Sequence, residues 1–307
     1  MRDVGEFEVI ARITRNRAPS AATLLGPGDD AAVVAAVDGR YVVSSDMLVQ
    51  DRHFRLDWSS PADIGRKAIA QNAADIVAMG AAPTGVTVAL GCPAETPVAL
   101  VEGLADGMWA EIDRAGGGIV GGDLVRCPAL VLSVTAFGDL AGREPVQRCG
   151  AIPGQIVAVA GKLGWSAAGL AVLTAELSGF ADVVAAHRVP APPYSAAVGV
   201  AAAAMTDVSD GLLADLGHIA AASGVAIDLD SAALADPALG PAAAALATDP
   251  LSWIVTGGED HAFVAAFPAA ALPPGWRRVG TVHAGRGVTV DGESWSGAGG
   301  WESFRAN

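Results

Sequence analysis

The sequence predicts an α/β (α+β) chain built as two halves, and three observations predict it. Strand-like and helix-like segments alternate along the chain. No short-period repeat is present. A passage rich in Gly, Pro and Arg, Asp139 to Pro153, separates one alternating run from the next. At 307 residues the chain is long enough for one large or two medium domains. We place the domains at residues 1–140 and 150–307.

In the first half, the β-branched run Arg40 to Ser45 is a strand delivering Asp46 at its end. Ser60-Pro61-Ala62-Asp63 carries an N-cap, a first-turn proline and an acid near the positive helix end. The helix it opens is expected to reach Met79 and stop at Gly80. Thr84–Leu90 is read as a strand and Val98–Ala115 as a helix. Gly118–Gly121 and Ala129–Phe137 are read as strands. In the second half, Gln155–Ala160 is a strand, Ser166–Leu177 a helix and Ala181–Pro193 a proline-bearing connection. Asp210 is placed as the cap of a helix over Gly211–Ala222. Strands are assigned to Val225–Leu229, Trp253–Thr256, Ala262–Phe267, Arg277–Val282 and Val288–Val290. The alanine-rich piece Ala232–Ala247 is read as helical.

Composition removes several function classes. With 52% hydrophobic and 17% charged residues the chain is globular. No apolar run approaches the roughly 20 residues of a bilayer span, and the first residues read as no signal peptide. A cytoplasmic protein is expected. Nineteen basic against 33 acidic side chains give a formal charge of −14, with no Lys/Arg cluster, which excludes a general nucleic-acid binder. Cys92, Cys127 and Cys149 lie in no metal or disulfide spacing and are expected to be buried or half-buried thiols.

Six acidic motifs then stand out: Gly28-Asp29-Asp30, Ser44-Ser45-Asp46, Asn72 with Asp75, Gly121-Gly122-Asp123, Asp207-Val208-Ser209-Asp210-Gly211 and Gly257-Gly258-Glu259-Asp260. Glycine lets backbone approach a ligand closely. Concentrated carboxylates repel unless hard cations lie between them, and Mg²⁺ prefers oxygen ligands shared with phosphate. The first hypothesis is therefore a Mg²⁺–polyphosphate enzyme. Alone, Gly28-Asp29-Asp30 reads as a surface turn, but the apolar run Ala31–Val37 places the second Asp at the edge of a buried element. Asp75 is the strongest case: its helix is apolar nearly all round, and a lone buried carboxylate costs several kcal/mol. Asn72 shares its face one turn earlier; Arg66 or Lys67 is the alternative partner. Gly121-Gly122-Asp123 is either a phosphate-approaching strand end or a hairpin turn. Asp207 to Gly211 offers three side-chain oxygens at a helix start, more than capping needs. Arg148 is either a phosphate clamp or a surface cation. On their own, His53 reads as a surface histidine before a ligand, and Trp301 as packing before substrate stacking. Gly161-Lys162-Leu163 is not a phosphate-binding P-loop, and protein-kinase, dinucleotide-fold and serine-hydrolase signatures are absent.

Taken in order from Gly5-Glu6-Phe7 to Gly300-Trp301-Glu302-Ser303-Phe304, these motifs resemble the thiamine-monophosphate kinase family. That family lies within the superfamily typified by aminoimidazole ribonucleotide synthetase. The most specific segments are Gly28-Asp29-Asp30, Ser45-Asp46-Met47-Leu48-Val49 with His53-Phe54, Ala78-Met79-Gly80-Ala81, Asp207 to Leu212 and Gly257 to Asp260. The resemblance implies two α/β domains: an N-terminal mixed sheet with helices that binds ATP and Mg²⁺ and pairs into a homodimer, and a C-terminal domain completing the site. It implies ATP-dependent phosphorylation of thiamine phosphate to thiamine diphosphate. By position, Asp30, Ser44, Ser45, Asp46, Asp75, Asp123, Asp207 and Asp210 would hold several Mg²⁺ ions. Gly122, Asp123, Arg148, Ser209 and Trp109 would contact ATP. His53, Glu259 and Trp301 would contact thiamine phosphate. Leu124, Ala73-Ala74, His261 and Ser303 depart from the family's usual residues. The alternatives are a purine-pathway ligase or selenophosphate synthetase of the same superfamily, and a non-catalytic nucleotide-binding assembly protein.

Overall fold

In the computed structural model, which describes residues 6–26, 32–270, 272–297 and 300, the chain divides into two units. One runs to Val77 and resumes over Ala81–Glu144; the other comprises Ala78–Gly80 and Pro145 onward.

The first unit contains α1 (Glu6–Thr14), β1 (Thr23–Leu25), β2 (Val33–Val34), β3 (Val42–Val49), α2 (Pro61–Ala78), β4 (Ala82–Cys92), α3 (Val98–Ala115), β5 (Ile119–Arg126) and β6 (Val131–Asp139). Strands β3, β6, β4 and β5 form one sheet in that order, antiparallel except for the parallel β4–β5 pair. Helix α2 opens with a reciprocal cap: the Asp63 N–H donates to Ser60 Oγ at 3.2 Å, and the Ser60 N–H to Asp63 Oδ2 at 3.1 Å. Gly80, at φ +76°, supplies the left-handed conformation that ends the run. Ile64, Ala68, Ile69, Ala73, Ala74 and Ile76 of α2 are buried with Leu104, Met108 and Ile112 of α3 against Val86, Leu90, Leu132, Val134 and Ala136 of the sheet.

Three expectations change here. Asp46 lies within β3 rather than at a strand end, and Gly121-Gly122-Asp123 lies inside β5. The strands run on because their antiparallel and parallel partners continue the ladders past the polar residues. The β1–β2 ribbon is solvent-facing rather than the edge of a buried element: Val33 is 48% exposed on it, and Val37 beyond it 76%.

The second unit contains β7 (Ile156–Ala160), α4 (Trp165–Thr174), α5 (Ala181–Arg188), α6 (Tyr194–Ala197), β8 (Ala204–Asp207), α7 (Leu212–Ser223), β9 (Val225–Leu229), α8 (Ser231–Leu234), α9 (Gly240–Ala245), α10 (Pro250–Thr256), β10 (Phe263–Phe267), β11 (Arg277–Ala284) and β12 (Gly287–Val290). Its six-stranded sheet has the order β12-β9-β11-β7-β10-β8, antiparallel except for β12 against β9. The expected strand Trp253–Thr256 is the end of α10. Asp249 caps that helix through the Leu251 N–H at 2.9 Å, with Pro250 in the first turn. The expected connection Ala181–Pro193 carries α5, and the alanine-rich helix is broken at Pro237 and Pro241 into α8, a 3₁₀ turn and α9. Among the cysteines Cys92 is buried and Cys127 half-buried, but Cys149 is exposed, donating to Gln147 Oε1. Among the described residues no helix is long and apolar enough to cross a membrane.

Candidate functional site

In the first unit, the alternation of β3 sends Ser44 and Asp46 to the α2 side and Val43, Ser45 and Met47 to the other. Ser44 Oγ donates to Asp75 Oδ2 at 2.6 Å. The Asp46 N–H donates to Asn72 Oδ1 at 2.9 Å, and Asn72 Nδ2 is itself anchored on the Ala68 carbonyl at 2.8 Å. Two carboxylates, a hydroxyl and an amide thus meet along one strand–helix seam. Asp75 is half-buried while Ala73, Ala74, Ile76 and Val77 around it are fully buried. Of the alternative partners, Arg66 pairs with Glu111 at 3.1 Å, and Lys67 donates to the His53 carbonyl at 3.0 Å.

Ser45 and Asp123 do not join this cluster within one chain. Ser45 Oγ donates to the Val134 carbonyl and lies 3.1 Å from Thr135 Oγ1, on the opposite sheet face. Asp123 is exposed, registers with Ala89 on that same face and accepts from the Leu124 N–H. Beside it, Gly122 has a packing reason: a Cβ there would stand 2.1 Å from the Val88 carbonyl oxygen. Trp109 Nε1 donates to the Ile13 carbonyl, and the Arg17 guanidinium lies 5.8 Å from its ring centroid. Asp30 and Trp301 fall outside the described residues.

In the second unit, two motifs distant in sequence form one paired loop system. Strands β8 and β10 align Asp207 with Phe263, and the ladder continues past them. The Val208 N–H donates to the Ala262 carbonyl, the His261 N–H to the Val208 carbonyl and the Glu259 N–H to the Ser209 carbonyl at 2.8 Å. A Cβ on Gly258 would meet the Ser209 oxygen at 2.6 Å, so glycine is required for the approach. Asp207, buried, pairs through Oδ2 with His261 Nδ1 at 3.0 Å. Burial, and then the Asp207 charge, push the half-buried Asp210 carboxyl upward. Arg148 is exposed and donates from Nε to Thr206 Oγ1 at 3.3 Å. Glu259, at φ +65°, has Oε2 3.8 Å from Nδ1 of the buried His187, which also bonds Ser166 Oγ at 3.1 Å.

The donors fit a hard cation in kind: carboxylate, hydroxyl and amide oxygens, without thiolate. Among the described residues no three His, Cys, Asp or Glu side chains close around one point.

The family model for AIR synthase related proteins, N-terminal domain, matches residues 28–140. The thiamine-monophosphate kinase of Mycobacterium tuberculosis (strain CDC 1551 / Oshkosh) is 59% identical over 310 residues, covering 99% of this chain and 93% of that protein. The chain belongs to the thiamine-monophosphate kinase family. The crystal structure of the family member from Stenotrophomonas maltophilia K279a superposes with a TM-score of 0.80 at 33% identity, covering 94% of this chain and 96% of that one. A structure described as AaThiL complexed with AMPPCP and TMP gives a TM-score of 0.81 at 27% identity, covering 99% and 98%.

For this member of the thiamine-monophosphate kinase family, sequence reasoning missed the residues that hold the second-unit loops. Asp210 does not cap α7. Asp215, one turn inside the helix and buried, reaches back to accept the Asp210 and Gly211 N–H groups at 3.1 Å each. Its carboxyl is pushed up to about 7 by burial and then by the Asp207 charge. Asp260 instead caps α4, accepting the Gly164 N–H at 2.5 Å and the Ser166 N–H at 2.8 Å. The available signal was spacing: an acid four residues after the motif's glycine, and a Gly-Trp-Ser helix start lacking its own cap.

Burial pushes the Asp260 carboxyl up from 3.8 to about 7. The folded value lies above the unfolded one, so folding takes up a proton between them, and stability falls as pH rises from about 4 to about 7. Denaturant titrations at pH 5, 6 and 7 are expected to show that decline, to which the raised Asp215 also contributes, and Asp260→Asn to make it shallower. An unchanged slope in the variant would remove Asp260 as its source.

Proposed function

We infer that the protein transfers the γ-phosphoryl group of ATP to thiamine phosphate, giving thiamine diphosphate and ADP. The observation that carries this reading is the 59% identity to a named thiamine-monophosphate kinase across both chains nearly end to end. The carboxylate seam of the first unit and the paired loops of the second support it, and so does the likeness to AaThiL complexed with AMPPCP and TMP.

The chemistry is a direct in-line displacement. A terminal phosphate oxygen of thiamine phosphate forms a bond to the γ-phosphorus, the bond to the β,γ-bridging oxygen breaks, and ADP leaves. The acceptor phosphate, with a second pKa of about 6, is already ionised near neutral pH. No general base is needed, and positioning and charge neutralisation carry the catalysis. Asp46 and Asp75 with Ser44, and Asp207 with Asp210, would hold Mg²⁺, with Asp30, Ser45 and Asp123 as the further ligands. When bound, Mg²⁺ would act as a Lewis acid, offsetting the repulsion between two polyanions. Gly122, Arg148, Ser209 and Trp109 are assigned to ATP. Glu259 is assigned to the thiazolium cation, and His53 and Trp301 to the rest of thiamine phosphate.

We assign ATP and Mg²⁺ binding and dimerisation to the N-terminal domain, residues 1–140, and completion of the site to residues 150–307. The homodimer reading is supported by the outer face of the β3-β6-β4-β5 sheet, where Val43, Met47 and Val125 are 59%, 53% and 50% exposed and a second copy would cover them. The test of function is an acceptor panel with ATP and Mg²⁺. Turnover is expected with thiamine phosphate; turnover only with another acceptor would overturn the assignment.

A further inference from the structure

Among the described residues Lys67 is one of the largest side chains that are almost wholly buried, at 2% exposure, within α2. An apolar side chain of that length would fill the same space without taking an ammonium out of water. The Lys67 ammonium donates from Nζ to the His53 carbonyl at 3.0 Å.

His53 sits in the tight turn that follows β3, and its own backbone and ring are both tied to Val49. The His53 N–H donates to the Val49 carbonyl at 3.0 Å, and the Val49 N–H donates to His53 Nδ1 at 3.0 Å. The turn is closed by the Asp51 N–H on the Phe54 carbonyl at 2.8 Å, with Asp51 at φ +63° and Phe54 buried. A backbone N–H can only donate, so Nδ1 must accept and carries no proton. The ring proton is therefore on Nε2.

We propose that Lys67 is a positioning residue for thiamine phosphate binding: it clamps the turn so that His53 is held as the neutral Nε2–H tautomer, a fixed hydrogen-bond donor toward the acceptor phosphate. The proposal rests on the function inferred above and on His53 facing that substrate. It adds the tautomer, the donor atom and the buried lysine that maintains both. In this arrangement His53 is not a cation, and it donates through one nitrogen only.

The test combines kinetics with ¹⁵N NMR of the five histidines, His53 being assigned by the loss of its signals in His53→Gln. In the wild-type protein at pH 7.5, His53 Nδ1 is expected to give the shift of an unprotonated nitrogen and Nε2 that of a protonated one. Lys67→Met is expected to raise KM for thiamine phosphate about tenfold, with kcat and KM for ATP within about twofold. The His53 shifts are expected to move toward a mixture of tautomers. A merely structural lysine would lower the melting temperature and leave the His53 shifts in place, which would overturn the proposal. So would a proton on Nδ1 in the wild type, or an equal rise of both KM values. Wild-type turnover with an unaltered Lys67→Met enzyme sinks this proposal alone. Absence of wild-type turnover on thiamine phosphate sinks the inferred function and the substrate role of His53 together.

Discussion

Asp75→Asn is expected to lower kcat/KM by on the order of 10³-fold while leaving the melting temperature unchanged or raised. Asp75 is the half-buried carboxylate on a helix whose surrounding residues are fully buried. Ser44 Oγ holds it at 2.6 Å, and Asn72, one turn earlier, fixes the neighbouring Asp46 backbone. An asparagine keeps the shape and one oxygen but removes the charge and turns an amide N–H toward the position assigned to a cation. The same change relieves the desolvation of the carboxylate, so activity and stability are expected to move in opposite directions. Rates measured across Mg²⁺ concentrations, beside thermal unfolding, read both. Wild-type turnover in the variant would remove Asp75 from the metal site. Loss of folding together with loss of turnover would make its role structural.

The largest expected effect on stability comes from the crossing of α2 and α3. A Cβ on Gly65 would stand 2.0 Å from the Leu104 carbonyl oxygen, and one on Gly107 would stand 2.0 Å from that of Ala62. Both neighbours are backbone, so no side-chain rotation can relieve the clash; the helices must separate. Overpacking of this kind costs about 3 kcal/mol, and Gly65→Ala or Gly107→Ala is expected to lower the unfolding free energy of the first unit by about that amount. Gly39→Ala, with open space at its Cβ but a left-handed backbone at φ +76°, is expected to cost about 1 kcal/mol. Equal denaturation midpoints for Gly65→Ala and Gly39→Ala would contradict the close-approach argument.

What the sequence made legible was local chemistry with a short reach. The cap Ser60-Pro61-Ala62-Asp63 announced α2, the period of Val98–Ala115 announced α3, and Val225–Leu229 announced β9 residue for residue. The unusual polarity of Asp75 within an apolar helix was readable for the same reason: burial follows from the helical pattern. Misreadings arose where two signals competed. Trp253–Thr256 has strand-like β-branching, but Asp249-Pro250 starts a helix there, and capping prevailed over propensity. The face of each β3 residue was already contained in the period-2 pattern, which separates Ser45 from Ser44 and Asp46 once the strand is extended to Val49. Long-range facts had no such signal. The pairing of Ser209 with Glu259 and the Lys67 clamp on His53 depend on how strands and helices meet, which no local spacing encodes.

The inferred activity is tested most directly by a single-turnover experiment with ATP labelled at the γ-phosphate, Mg²⁺ and thiamine phosphate. The label is expected in the terminal phosphate of thiamine diphosphate, with one ADP formed per product. Label released as inorganic phosphate, or carried into a different acceptor with thiamine phosphate recovered intact, would contradict it.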